Sequence, residues 1–291
     1  NTERGLQGGY PAGVPSEGAN GLVGGLSVFG RERTVRRGGL DEAFTRVVGS
    51  GTVTADPAHD STVKVDVTGL QPATTYFYRF RNGSVLSDTG RTRTLPVGAV
   101  EQIKLGVFSC AAFSIGQFHV YNHASERGDL DAALMLGDYI YETGLSDAEQ
   151  LAARAFGREA DPKGELHTLN EYRLRYQRYH TDADLRGLRR NMPLIGVWDD
   201  HEIVNDIWRG GAGGHDPATE GSFTERRAAA VQAWHEWMPT RTGPDPLKIY
   251  RSFDFGNLLS LHMLVRAGAA GAEVPESVRP AVEAVRAADD R

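Results

Sequence analysis

Apolar and polar residues alternate along residues 62–80, and this alternation predicts β-strands. In TVKVDVTGL (62–70) and TTYFYRFRNG (74–83), every second residue is apolar or aromatic over much of the segment, as in strands with one buried face. The Asn82-Gly83 pair is typical of a tight hairpin turn. We predict a small all-β sandwich over residues 41–96, ending at TRTLP (92–96). Its apolar face carries Val63, Val65, Val67, Tyr76, Tyr78 and Phe80.

The pattern changes after Pro96, where apolar runs of strand length alternate with segments of helical periodicity. This change predicts an α/β domain, layered in the α+β manner, over residues 97–291. His262 lies in an apolar segment and is predicted to be a core histidine. The predicted elements are strands at 103–109, 132–137 and 193–198, a hairpin at 249–264, and helices at 116–128, 145–157, 168–190 and 223–238.

The two ends of the chain lack such patterns. Residues 1–40 contain eleven glycines, and we predict a poorly defined segment with one short strand at most. After Met263 the sequence is rich in Ala, Val, Arg and Glu, which predicts a solvated helix. The chain begins at Asn1, without a methionine or an apolar signal region, as expected of a processed or excised form.

Composition narrows the classes of function. The 291 residues carry a net charge of −6, which argues against a nucleic acid as a stable partner but allows a phosphate substrate bound through cations. No apolar run reaches the length of about 18 residues that spans a membrane. The single cysteine, Cys110, excludes an intramolecular disulfide, and on its own it predicts a buried apolar residue.

Ionisable residues collect at the ends of the three predicted strands. Cys110 follows the first strand, Asp138 and Tyr141 follow the second, and WDDHE (198–202) follows the third. Because ligands of open α/β sheets gather at the carboxyl ends of the strands, we expect these groups to meet. Thiolate, carboxylate, phenolate and imidazole together suit iron or zinc. A metal would explain why the chain places carboxylates against buried strands.

Three motifs carry a resemblance to a known family. GDYIY (137–141) fits the G-D-x-x-Y motif of metallophosphoesterases related to purple acid phosphatases. SC (109–110), LMLGDYIYE (134–142) and WDDHE, in this order, resemble the PhoD-like alkaline phosphatases more closely. A preceding sandwich, similar to fibronectin type III or immunoglobulin-like modules, fits that family too. The resemblance covers residues 41–263 and implies a metallophosphoesterase domain behind the sandwich.

The resemblance also implies roles for individual residues. Asp138 would bridge two metal ions, with Tyr141 and Cys110 as further ligands of a ferric ion. Asp200 would bind the second metal, which in the family is calcium; another divalent ion such as Zn²⁺ is the alternative. His201 would lie beside the phosphate and aid the leaving group. Asp199 is assigned with His201 to the catalytic residues, and Asn205 to the metal ligands or their supports.

Other interpretations of these residues stay open at this point. Alternate tyrosines at a strand end often only pack, so Tyr141 has a structural alternative. His119 and His123 have the spacing of a helical zinc clamp, although surface histidines are the simpler interpretation. Arg173, among the arginines of 173–190, could hold phosphate or lie on a solvated helix. A serine hydrolase is disfavoured because a G-x-S-x-G elbow is absent from the sequence.

Two segments depart from the family pattern. Residues 13–40 lack the expected apolar alternation and tryptophan, and residues 264–291 lack the family's Leu-Asp-Thr-Arg motif and its later histidine and G-D-x-H ligands. We interpret the chain as a truncated or frame-shifted product, or as a natural short variant. The expected function is hydrolysis of phosphate mono- or diesters, phospholipid head-group esters included. The rival is a non-catalytic remnant that binds one iron at most. The family implies a periplasmic or secreted location.

Overall fold

The computed structural model describes residues 12–15, 22–27 and 33–265. Its N-terminal strands, all antiparallel, are β1 (Ala12–Pro15), β2 (Leu22–Ser27), β3 (Arg33–Gly39), β4 (Val47–Thr54), β5 (Thr62–Val67), β6 (Thr75–Asn82), β7 (Val85–Leu86) and β8 (Gly90–Arg93). They form one sheet of order β1-β2-β5 and another of order β4-β3-β6-β7, with β8 also paired to β6. We call this part the sandwich.

Side chains from both sheets meet in the centre of the sandwich. Val63 on β5 packs with Phe80 on β6 and with Ala55, and all three are buried. Tyr76 is buried beside Leu70, and its hydroxyl accepts a hydrogen bond from the backbone N–H of Gln71 at 2.9 Å. The strands predicted from the alternation over residues 62–80 are therefore confirmed.

The glycine-rich segment contains more strand than the sequence indicated. We predicted at most one short strand before residue 41, but β1, β2 and β3 all lie there, so that prediction is wrong. Gly24 of β2 pairs with Val65 of β5, and Gly38 of β3 pairs with Tyr78 of β6. Backbone hydrogen bonds form these strands, while glycine gives no period-two hydrophobic signal.

The second part of the chain, which we call the α/β unit, is built on three parallel strands. These are β9 (Leu105–Phe108), β10 (Ala132–Met135) and β11 (Leu194–Gly196), in the order β11-β10-β9. All four residues of the central strand β10 are buried. Two antiparallel pairs follow along the chain, β12 (Ile207–Trp208) with β13 (Gly211–Ala212), and β14 (Arg251–Phe255) with β15 (Leu259–Met263).

Six helices accompany this sheet in the described residues, and all except α1 begin at a polar N-cap residue. They are α1 (His119–Glu126), α2 (Asp147–Arg154), α3 (Leu169–Tyr179), α4 (Ala183–Asn191), α5 (Pro217–Glu220) and α6 (Phe223–Trp237). Ser146 and Thr168 form capping boxes with Glu149 and Glu171, which fixes the starts of α2 and α3. The helical pattern predicted over 168–190 contains two helices, because the Asp182 side chain caps a new helix at Leu185 N–H.

The sandwich and the α/β unit contact each other through polar side chains. The Asp60 carboxylate accepts hydrogen bonds from Trp237 Nε1 at 3.1 Å and Gln177 Nε2 at 3.2 Å. Asp66 on β5 forms an ion pair with Arg241, at 2.8 Å. These contacts join β5 and the turn before it to α3, α6 and the segment that follows α6.

Two further predictions concern the end of the described chain. His262 is exposed and its Nδ1 lies 2.7 Å from the Ser252 hydroxyl, so the predicted core histidine is wrong. The reason is strand register, since Leu261 and Met263 turn to the opposite face of β15 from His262. The helix predicted after Met263 lies outside the described residues. Within residues 33–265 and the two short N-terminal stretches, no helix has the length and apolarity to cross a membrane.

Candidate metal centre

Sharp turns bring the ends of β9 and β10 together. Cys110 and Asp138 both have positive φ, +58° and +52°, a conformation that non-glycine residues rarely adopt. The Cys110 N–H donates to the carbonyl of Gly137 at 3.3 Å, and the Ala111 N–H donates to that of Asp138 at 2.7 Å. Such backbone conformations are concentrated at functional sites, where the surrounding structure maintains them.

The Asp138 carboxylate is the centre of this turn cluster. Its Oδ2 accepts a hydrogen bond from the Cys110 thiol at 3.4 Å and from the Tyr141 hydroxyl at 3.3 Å. Its Oδ1 is buried and has no hydrogen-bond partner among the residues that the structure describes. A buried carboxylate oxygen without a partner is costly unless a cation or water satisfies it.

A second group of ligands approaches Asp138 from the end of β11. Asp138, Asp200 and His201 each offer a ligand atom, and these atoms all lie within 4.8 Å of one another. The His201 ring lies against the Tyr141 ring, with centroids 4.1 Å apart. The predicted Cys110, Asp138, Tyr141, Asp200 and His201 are thus brought together at one edge of the sheet.

Glu142 positions His201. Its carboxylate is buried and accepts from the His201 ring, with Nδ1 to Oε2 at 2.7 Å, and from the Asn205 backbone N–H at 2.7 Å. Burial alone would lower the pKa of His201, but the hydrogen bond and charge of Glu142, with Asp138 and Asp200, raise it to about 9. The imidazole is therefore held as a cation around neutral pH in the metal-free chain.

Glu202 ties the loops after β10 and β11 together. Its fully buried carboxylate accepts from the backbone N–H groups of Tyr139 at 2.5 Å, Asp199 at 2.8 Å and Asp138 at 3.1 Å. Burial raises the pKa of Glu202 to about 8, against the opposing effect of these N–H donors. One side chain thus fixes the backbone beside two candidate ligands.

The same two loops touch at Gly137. A Cβ atom added to Gly137 would lie 2.5 Å from both the backbone nitrogen and the Cβ of Asp199. Gly137 also has φ +105°, which a side chain disfavours. Glycine is required here because the backbones approach more closely than any side chain permits.

Other predicted residues are placed differently. The Asn205 side chain donates from its Nδ2 to the Asp206 carboxylate at 3.1 Å. Arg173 does not face the centre; it pairs with Glu236. His119 pairs with Asp184 on an exposed surface and His123 is exposed, which agrees with surface histidines. Cys110 is exposed, so the alternative of a buried apolar cysteine is wrong.

Sequence reasoning missed Glu142 and Glu202. Both follow directly on motif residues, in GDYIYE and WDDHE, and both are acidic in an otherwise buried stretch. That conflict between charge and burial was the available signal. Apart from Asp199, which is three residues from Glu202, their hydrogen-bond partners lie between 59 and 64 positions away in sequence, and no local pattern could name them.

The donor set fits a metal centre. Thiol, phenol, carboxylates and imidazole converge, and Asp138 keeps an unsatisfied buried oxygen. Burial, Asp138 and Cys110 raise the pKa of Tyr141, so the phenolate needs a nearby cation to form. A second acidic group, Glu165, His167 and Glu220, also clusters within 4.8 Å, but the buried Arg226 forms ion pairs with both of its carboxylates.

Comparisons with known proteins agree with this geometry. The family model for PhoD-like phosphatases matches residues 105–272, and the model for the N-terminal domain of PhoD-like phosphatases matches residues 33–96. The chain is 37% identical to alkaline phosphatase D of Bacillus subtilis (strain 168) over 231 residues, which is 77% of this chain and 38% of that protein.

Solved structures show the same fold. The structure of PhoD superposes with a TM-score of 0.78 and 30% identity, over 90% of this chain and 52% of that one. Purple acid phosphatase PPD1 from yellow lupin (Lupinus luteus) seeds matches with a TM-score of 0.55 and 13% identity, over 85% of this chain and 43% of that one. The fold is that of a metallophosphoesterase with a β-rich N-terminal part. The chain belongs to the PhoD-like phosphatase family, and it spans about half or less of the length of these relatives.

Proposed function

We propose that this protein hydrolyses phosphate mono- or diesters at a metal centre built around Asp138. The observation that supports the proposal is the carboxylate of Asp138 itself. One of its oxygens is shared by Cys110 and Tyr141, the other is buried without a partner, and Asp200 and His201 lie beside it. Two ligand groups that share one carboxylate suit a pair of cations.

The chemistry of the donors suggests which residues would hold which ion. Ferric iron would be held by Cys110, Tyr141 and Asp138, because the thiolate and the phenolate are anionic ligands that suit this ion. Asp138, Asp200 and Asn205 would hold calcium, which prefers carboxylate and amide oxygens. Another divalent ion such as Zn²⁺ is the alternative. Asn205 would bind through its Oδ1, while its Nδ2 donates to Asp206.

When bound, the ions supply positive charge for the phosphate and lower the pKa of a water nucleophile. His201 is held by Glu142 and can donate a proton to the leaving oxygen of the ester. Asp199 is assigned as a supporting carboxylate beside this group. Glu202 and Gly137 keep the two loops in register.

The organisation of the protein and its location complete the proposal. We take the sandwich and the α/β unit to meet near residue 96, and the α/β unit to carry the chemistry. The substrates are phosphate esters, with phospholipid head-group esters included, and the family resemblance points to a periplasmic or secreted protein. Nucleic acid is not proposed as a stable partner, given the net charge of −6.

Asp138→Asn tests the proposal. We expect the protein, reconstituted with ferric iron and calcium, to hydrolyse p-nitrophenyl phosphate or its bis-ester at alkaline pH, and to lose that activity on chelation. The variant should bind fewer ions and lose at least about 10²-fold in rate, because an amide cannot offer the full charge that two cations need.

Asp88→Asn, which removes a half-exposed carboxylate of the sandwich, is the control and should change neither quantity. Ion content is measured by mass spectrometry alongside the rate. Reconstituted protein that binds ions without hydrolysing either ester would favour the non-catalytic remnant. An Asp138→Asn variant with unchanged metal and rate would remove Asp138 from the centre.

A further inference from the structure

A cleft lies between the sandwich and the α/β unit, separate from the candidate metal centre. Its volume is about 710 Å³, within the range of small-molecule sites. Thr62 and Lys64 of β5 form one wall, and Arg227, Gln232 and Glu236 of α6 form the other. We call this space the interdomain cleft. The proposed function does not use it.

The negative charge in the interdomain cleft is already neutralised. The Glu236 carboxylate is almost fully buried and accepts hydrogen bonds from Arg173, with Nε to Oε2 at 2.7 Å and Nη2 to Oε1 at 2.6 Å. Gln232 donates to the same carboxylate at 2.9 Å. This bidentate pair engages both oxygens of Glu236, so its charge compensates a second cation only in part.

Lys64 lacks a carboxylate of its own. Its ammonium group has three N–H donors, and one of them donates to the backbone carbonyl of Thr240 at 2.9 Å. Lys64 forms no ion pair with any residue in the described part of the chain. Burial lowers the pKa of Lys64 to about 7 against the opposing effect of the Glu236 charge, so that charge compensates the buried cation only in part. An anion in the interdomain cleft would supply the rest of the compensation.

The other residues that line the interdomain cleft indicate the chemical character of a ligand. Arg227 adds a second cation to the wall, while its Nη1 donates only to the backbone carbonyl of Arg209 at 3.1 Å. Val231, Pro246 and Leu247 supply apolar surface. We propose that the interdomain cleft binds an amphipathic organic anion, with its charged group at Lys64 and its apolar body against Val231 and Leu247.

Such a ligand would touch both parts of the protein at once. One wall of the interdomain cleft belongs to the sandwich and the other to α6, so the ligand would bind only while the two parts are joined. By linkage it would raise the melting temperature of the whole chain, by an amount that grows with the logarithm of its concentration above Kd.

Binding of 8-anilinonaphthalene-1-sulfonate, an amphipathic anion, to the full chain tests the proposal by fluorescence titration. Lys64→Met keeps the length of the side chain and removes its charge. Ala228→Trp, at an exposed position that lines the interdomain cleft, fills the space without changing charge. We expect each variant to bind the dye at least tenfold more weakly, and decanoate to displace the dye from the unaltered protein. Lys104→Met removes an exposed lysine elsewhere and should bind like the unaltered protein.

The outcomes separate this site from a simple anion site. Excess inorganic phosphate, which has no apolar body, should leave dye binding unchanged, and displacement by phosphate would show that the dye binds at a simple anion site and would overturn the proposal. Equal affinity in the folded Lys64→Met variant would overturn the role of Lys64. If Lys64→Met does not fold by circular dichroism, Ala228→Trp decides, since unchanged binding in that variant places the dye outside the interdomain cleft.

Discussion

The pair formed by Glu142 and His201 sets the state of the candidate proton donor. A carboxylate that accepts from imidazole Nδ1 fixes the orientation of the ring and favours its cationic form. Here Glu142 is buried, while His201 is partly open to solvent, so its other nitrogen is free to face a substrate. Glu142 is therefore the buried base of the pair, and His201 is the acid that a substrate can reach.

Glu142→Gln should lower the pKa of His201 in the metal-free chain, from about 9 towards its ordinary value of 6.5. A raised histidine pKa stabilises the fold below pH 6.5, and this stabilisation is lost as the pH rises through 9. The unaltered chain should thus lose stability over that interval, and the variant should lose less. NMR titration of the ring under a chelator measures the shift. Glu126→Gln, at an exposed glutamate of α1, is the control; an equal shift in both variants would contradict the assignment to Glu142.

At the scale of elements, the centre depends on two loops that leave neighbouring strands. The loop after β10 carries Asp138 and the loop after β11 carries Asp199, and the Glu202 carboxylate binds the backbone of both. Because Glu202 holds the two loops together, the candidate ligands are already in place before a metal ion binds. Less conformational entropy is then lost on metal binding.

Glu202→Gln should destabilise the chain by about 1–3 kcal/mol, because an amide cannot accept from all three buried N–H groups. It should also weaken metal binding, since the loops lose their common anchor. Urea unfolding and metal titration measure the two effects. Glu225→Gln, in the exposed first turn of α6, provides the matched control. Weaker stability with unchanged metal affinity would limit Glu202 to a structural role.

Hydrophobic pattern predicted those elements whose signal is local. The strands β9, β10 and β11, the helix α1 and the hairpin of β14 and β15 all lie within their predicted ranges. Motif order also predicted that Cys110, Asp138 and His201 meet. The hydrophobic pattern did not predict features that depend on hydrogen bonds between residues distant in sequence. The strands β1–β3 rest on backbone pairing, and Glu202 is defined by donors from a distant loop.

At the scale of the molecule, Asp60 is one of the polar links between the sandwich and the α/β unit. Its carboxylate accepts from two elements at once, through Gln177 of α3 and Trp237 of α6. The four tryptophans all lie after residue 197, so their fluorescence reports the α/β unit alone, while circular dichroism reports both parts.

Asp60→Ala should uncouple the two parts, because it leaves the Trp237 indole N–H without its acceptor. We expect a loss of about 1–3 kcal/mol in stability and a separation of the unfolding transitions seen by fluorescence and by circular dichroism. Glu42→Ala, at an exposed position of the sandwich, should leave the transitions coincident. Coincident transitions in Asp60→Ala as well would show that the other contacts between the parts, such as the Asp66–Arg241 ion pair, are sufficient to couple them.

The contact between Gly137 and Asp199 has a consequence for the interpretation of homologous sequences. A methyl group at position 137 would act as a wedge between the loops, while the strands beneath could stay intact. A distant protein that shares the fold but carries a side chain at this position would keep the sheet and lose the close contact of the two loops that forms the metal centre. The residue at position 137 would therefore distinguish homologous chains that can form the metal centre from chains that share only the fold.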